Sequence, residues 1–240
     1  MTIASHPSLD LAGSIRPGLD ILANEIVIAL KKRTRFRLNL PVYEPGLLPA
    51  HPALSLLDYE LALVERQHAE LGRFAFAEQD AFTDVANVEL ILQRDPPDNP
   101  VEIMPSRAGD RIKAFYFNWL NEACEHGIDE GTFGETVTSD VVSLLAIMER
   151  VNLGKLVAES KFQSMPDAFR KTGGDREQML QFIVRKDREA AVRKMAAGLA
   201  KTYGLSADTV VSVFDFMIET TVDIEVDYLR MRLASESSAT

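Results

Sequence analysis

Apolar residues recur at intervals of three and four along most of the 240-residue chain, and alternating runs are scarce. That period predicts an all-α fold. Six helices follow from it, at about 18–34, 54–75, 109–127, 134–163, 175–203 and 206–234. Between them, "LNLPVYEPGLLPAHP" carries four prolines and is expected to cross the surface as irregular chain, and "QRDPPDNPVEIMPSRAGD" forms a second proline-rich connector. "KTGGD" ends one helix and starts the next, with Asp175 as N-cap. Neither connector is long enough to separate independent domains, so residues 1–240 are expected to form one multi-helix bundle with flexible ends at about 1–8 and 235–240.

Two of these helices carry charge on the face that the pattern assigns to the core. In "ERVNLGKLVAESKFQ", advancing 100° per residue places Arg150 and Lys161 on one stripe with Leu153, Gly154, Val157 and Ala158. Asn152, Lys155 and Glu159 fall on the opposite face and are expected to meet water. In "TTVDIEVDYLRMRL", Ile224, Tyr228, Leu229 and Met231 form the apolar face, and Glu225 lies on it one turn after Thr221. Desolvation there raises a carboxyl's pKa and makes Glu225 a candidate hydrogen-bond donor. A weaker instance is Arg185 with Glu189, one turn apart beside the stripe of Val192, Ala196 and Leu199.

Two readings fit this pattern. One is an internal salt-bridge network, for which Arg232 lies seven residues from Glu225 on the same face. The other is a ligand site in the bundle core, built from facing helices. A buried cation costs several kcal/mol unless its partner geometry is good. Arg150 and Lys161 stand about 16 Å apart along one helix axis, and the gap suits a small anion held between two long side chains.

Composition narrows the partners. A formal net charge of −10 argues against binding a phosphate backbone, so no nucleic acid partner is expected. The longest apolar runs, such as "IVIAL", are too short to span a bilayer, and the N-terminus lacks the basic and apolar regions of a secretory signal. Cys124 is the single cysteine, which removes any intrachain disulfide. These features predict a cytoplasmic protein without a membrane partner.

Several blocks in order, "IRPGLDILANEIVIALKKRTRF", "PVYEPG", "LLDYELALVERQHAELGRF", "DRIKAFYFNWL", "GKLVAESKFQ" after "ER", and "IEVDYLRMRL", resemble the all-helical chorismate mutases of the fungal and plant type. The resemblance implies a compact helical bundle, a homodimer, and the intramolecular Claisen rearrangement of chorismate to prephenate for phenylalanine and tyrosine biosynthesis. It implies neither a metal nor a cofactor. By resemblance, Arg150 grips a substrate carboxylate and Arg16, from "SIRPG", the other. Lys161 and a protonated Glu225 donate to the ether oxygen, Glu189 accepts the ring hydroxyl, and Thr221 lines the carboxylate pocket. Arg185 stands where the fungal pattern has an asparagine near the substrate hydroxyl; it adds charge to the pocket, pairs with Glu189, or marks a shift in register. Pro17 biases Arg16 away from helical angles, which puts Arg16 at a helix start. Isochorismate or aminodeoxychorismate as substrate, or a noncatalytic chorismate binder, are the alternatives.

Fungal members of the family share an effector site for tyrosine or tryptophan at the dimer interface, partly built from adjacent arginines. Here Gly72 precedes Arg73, and Glu135 stands after Gly134 where that site has a serine, so loss or change of this regulation is expected. Other motifs carry less. Cys124 and His126 are two ligands short of a zinc site. His68 lacks a visible acid or nucleophile partner, and "KKRTRFR" is expected to be a solvated helix end that complements the dipole.

Overall fold

The computed structural model describes residues 9–92, 100–106 and 108–238. Eight α-helices and no β-strand occur among them: α1 Arg16–Arg33, α2 Leu56–Glu70, α3 Ala108–Ala123, α4 Phe133–Ser164, α5 Pro166–Lys171, α6 Arg176–Ile183, α7 Lys186–Tyr203 and α8 Ala207–Ser238. Of the ends expected to be flexible, 1–8 and 239–240 lie outside the described residues, whereas 235–238 continue α8 as helix. That last turn is tied down by Ser235 Oγ, which donates to Glu102 at 2.9 Å, and by Glu236, which accepts from Arg170 Nε at 2.9 Å.

Local chemistry explains most boundaries. Ser55 caps α2 by accepting from the Asp58 N–H at 3.0 Å, and Gly72, at φ +80°, closes it in the left-handed conformation that glycine adopts without strain. "KTGGD" behaves as its residues predict: Gly173 and Gly174 take positive φ, and Asp175 accepts from the Gln178 N–H. Arg16 keeps helical angles (φ −63°, ψ −46°) in spite of Pro17, because a wide turn, Leu11–Ile15, precedes it. Asp10 caps that turn, and the Arg16 N–H reaches back five residues to Leu11. Arg16 is thus the first residue of α1, as Pro17 predicts, with the wide turn leading directly into it.

The expected helix 175–203 is two helices. Val184 and Arg185 leave helical angles, at ψ 127° and 86°, although neither glycine nor proline stands there. The break exposes the Ile183 carbonyl, and Lys161 Nζ donates to it at 3.0 Å.

The two 32-residue helices, α4 and α8, are each about 48 Å long and run parallel, with Gly154 against Thr221 and Lys161 against Glu225. α1 and α3 lie antiparallel to α4, through the pairs Arg33–Asp140 and Tyr116–Asp140. α7 lies antiparallel to α8 and is tied to it by Arg193 and Asp215. One core cluster, with Ile26, Leu30, Ile112, Trp119, Leu144 and Phe214, fills one end of the α4–α8 pair; a second, with Phe162, Phe169, Met179 and Leu229, fills the other.

Partners surround the second half of α4, and over residues 143–163 none of its residues is exposed. Asn152, Lys155 and Glu159, expected in water, are buried. Lys155 Nζ reaches Asp80 at 2.8 Å, Asn152 donates to the Asp80 carbonyl, and Glu159 accepts from Tyr228 at 2.8 Å. Arg232 also departs from the salt-bridge reading: it reaches Glu102, Glu159 and Glu236, and not Glu225. The basic cluster after α1 is misread as solvated in one residue. Arg33 is fully buried and spends all five guanidinium hydrogens, on Asp140, Phe36 O, Cys124, Leu38 O and Tyr43.

Candidate active site

A cavity of about 210 Å³ opens where α1, α4, α7 and α8 converge near the α6–α7 break. All seven residues singled out in the sequence line it: Arg16 from α1, Arg150 and Lys161 from α4, Arg185 and Glu189 at the start of α7, Thr221 and Glu225 from α8. Leu19, Val157, Ile183, Val184, Val192 and Ile218 supply an apolar lining.

Close approach of α4 and α8 forms the floor. A Cβ on Gly154 would sit 2.9 Å from Thr221 Cγ2 and 3.5 Å from the Thr221 carbonyl, so a larger residue requires the threonine or the helices to shift. Further along the same two helices, Lys161 Nζ and Glu225 Oε2 are 2.6 Å apart. Burial raises the Glu225 pKa, and Lys161 only partly opposes the effect. Thr221 Oγ1 is buried without a hydrogen-bond partner among the described residues.

Arg150 is the anomaly. It is 7% exposed, yet it makes no hydrogen bond or ion pair among the described residues, and its Nε is a buried donor left unsatisfied. Burial pushes its pKa down to about 10, with Asp20 at the same cavity acting weakly in the other direction. The guanidinium thus remains a cation at neutral pH, in a place where an unpaired cation is costly. Arg33 shows how this fold satisfies an arginine that serves structure alone.

The α7 residues divide. Glu189 is half-buried and lies 3.6 Å from Arg193, one turn on. Arg185 does not pair with Glu189; it is 60% exposed and grips Asp187 through Nε at 3.2 Å and Nη2 at 3.1 Å. The cause is the break: Arg185 stands before the first turn of α7, where its side chain swings back along the surface. Asp20 and Arg188 also line the cavity, and sequence periodicity singled out neither. Arg188 lies one turn before Val192, which places it on the face of α7 that lines the cavity.

Among the described residues no group of three or more His, Cys, Asp or Glu could hold a metal ion. Nor is any described helix long and apolar enough to cross a membrane. The cavity offers fixed cations, three carboxyls and an apolar wall. Such a set suits an anionic small molecule whose reaction moves charge within itself.

A chorismate mutase from Trichoderma parareesei is 30% identical to this chain over 92% of its residues and 93% of its own. The chain belongs to the chorismate mutase family. The family profile described as "Chorismate mutase type II" matches residues 136–226, which include every cavity residue named above except Arg16, Leu19 and Asp20. The chorismate mutase of Emericella nidulans is likewise 30% identical, over 94% of this chain and 93% of its own. Among solved structures, a Candida albicans chorismate mutase in complex with L-Trp superimposes with a TM-score of 0.82 at 26% identity, covering 94% of this chain and 92% of that one. The all-helical chorismate mutase fold therefore accounts for the whole bundle.

Proposed function

We propose that this chain is an isomerase that converts chorismate to prephenate, and that the unpaired, buried Arg150 is the observation that carries the reading. The rearrangement breaks the ether C–O bond and forms a C–C bond within one molecule, with no proton transferred. A catalyst must hold the reactive conformer and present donors where the ether oxygen gains negative charge. Arg150 takes one substrate carboxylate, which supplies the counter-charge the fold leaves out; Arg16, across the cavity, takes the other. Lys161 donates to the ether oxygen, and Glu225, which burial favours in its protonated form, adds a second donor. Glu189 accepts the ring hydroxyl, and Thr221 Oγ1, buried without a hydrogen-bond partner among the described residues, faces the carboxylate. Arg185 adds positive potential at the rim while Asp187 holds it.

The deciding assay incubates purified protein separately with chorismate, isochorismate and aminodeoxychorismate and identifies the products by chromatography. Prephenate from chorismate is the expected outcome; turnover of another substrate alone would refute the assignment.

We read the chain as a cytoplasmic homodimer, its lone buried thiol needing no oxidising compartment. Val142 on α4 is half exposed between the contacts Thr138–Glu60 and Glu149–Arg73 that join α4 to α2, and Leu63 on α2 is also exposed. Ile91, 72% exposed, is fastened to the end of α2 by a hydrogen bond to the Glu70 carbonyl. An exposed apolar face of this kind, which a second copy would cover, supports the reading. Gly72 needs its positive φ and Arg73 is engaged by Glu149 at 2.9 Å, which supports a lost or altered tyrosine response.

A further inference from the structure

We propose that Arg188 is a substrate-binding residue: it captures the outward carboxylate of the dianionic substrate at the cavity mouth, alongside Arg16. The inference rests on the mutase reading above and extends its binding set.

Five basic and three acidic side chains line the cavity, and half of the eight are already engaged. Lys161 is paired with Glu225, Arg185 with Asp187, and Glu189 with Arg193. That leaves Arg150, Arg16 and Arg188 as cations without an ion pair among the described residues, facing Asp20 alone. Arg150 is at the buried end, Arg16 is half-buried, and Arg188 is exposed. The three form a graded path from solvent to the floor.

Position strengthens the case. Arg188 is the third residue of α7, in the first turn, where the helix dipole disfavours a cation; Asp187 and Glu189, beside it, have the favoured sign. A surface arginine with no role would gain from a carboxylate partner within reach, yet both neighbouring carboxylates are held by other arginines. In a molecule of net charge −10 a dianion is repelled at long range, so a free cation at the mouth changes the encounter more than it changes the chemical step. Arg188 therefore belongs to binding and not to the rearrangement.

The test compares wild type with Arg188→Gln, Arg188→Lys and, as a control for charge alone, Lys186→Gln, an exposed first-turn cation outside the cavity lining. Chorismate turnover is measured at low and raised salt, and chorismate binding is measured separately by calorimetry. Arg188→Gln should raise KM and Kd about tenfold, leave kcat within about twofold, and flatten the salt dependence of kcat/KM. Arg188→Lys should recover part of the loss, and Lys186→Gln should change little. If Arg188→Gln matches Lys186→Gln, or lowers kcat with KM unchanged, the proposal is overturned. Wild type that binds chorismate without converting it would refute the mutase reading alone, because Kd still reports on Arg188. Wild type that does not bind refutes both.

Discussion

At the scale of single residues, two buried arginines show the same fold treating one side chain in opposite ways. Arg33 has a partner for every hydrogen; among the described residues Arg150 has none, and the difference identifies which of them awaits a ligand. Lys161→Ala should reduce turnover roughly a hundred- to thousandfold, or about 2.7–4 kcal/mol, with helix content by circular dichroism unchanged. Glu225 gives a pH signature. Its pKa is raised by burial, so the protonated donor persists above the ordinary carboxylate range and is lost as pH rises through the shifted value. Turnover should therefore fall on the alkaline side of that pKa, and Glu225→Gln should flatten the profile. A profile that keeps its shape in the glutamine variant would remove Glu225 from the reaction. Sequence spacing exposed Arg150, Lys161 and Glu225 because a charge on an apolar stripe contradicts the helical period. Arg33 escaped notice because its partner, Asp140, is 107 positions away and leaves no local trace.

At the scale of elements, helices were legible where period and caps agreed, as at Ser55 and Asp175, and illegible where a tertiary contact decided. The break after Ile183 is the clear case. Neither Val184 nor Arg185 is a helix breaker, but the carbonyl released there meets Lys161, a contact that no window of sequence contains. The same holds for Lys155 and Glu159, whose buried state depends on Asp80 and Tyr228 in distant segments. The α4–α8 contact yields its own prediction. Gly154→Ala forces a methyl to 2.9 Å from Thr221 Cγ2, so the helices must separate or the threonine must turn. Overpacking of this kind costs about 1–3 kcal/mol, and thermal melting should report it. Because Thr221 and Glu225 share the displaced helix, kcat should fall as well; a variant that melts lower but keeps full kcat would show that this spacing serves stability alone.

At the scale of the whole molecule, association and regulation are testable together. Sedimentation should give a particle of two chains, and Leu63→Glu with Val142→Glu should dissociate it while monomer helix content persists. Saturating tyrosine should alter the rate by less than the roughly fivefold that marks the low end of ordinary allosteric coupling. Strong inhibition would restore the effector site that Gly72 and Glu135 argue against. Sequence pattern indicated an all-helical bundle, yet which helices meet, and in which direction, became readable only from the pairs that join them. One consequence of that layout concerns tolerance. Arg150 and Lys161 ride on one uninterrupted helix, a stiff rod whose length does not adapt when a guest enters. Any evolutionary retuning toward a larger or smaller molecule must come from the opposite wall, where the chain is already hinged between Ile183 and Lys186.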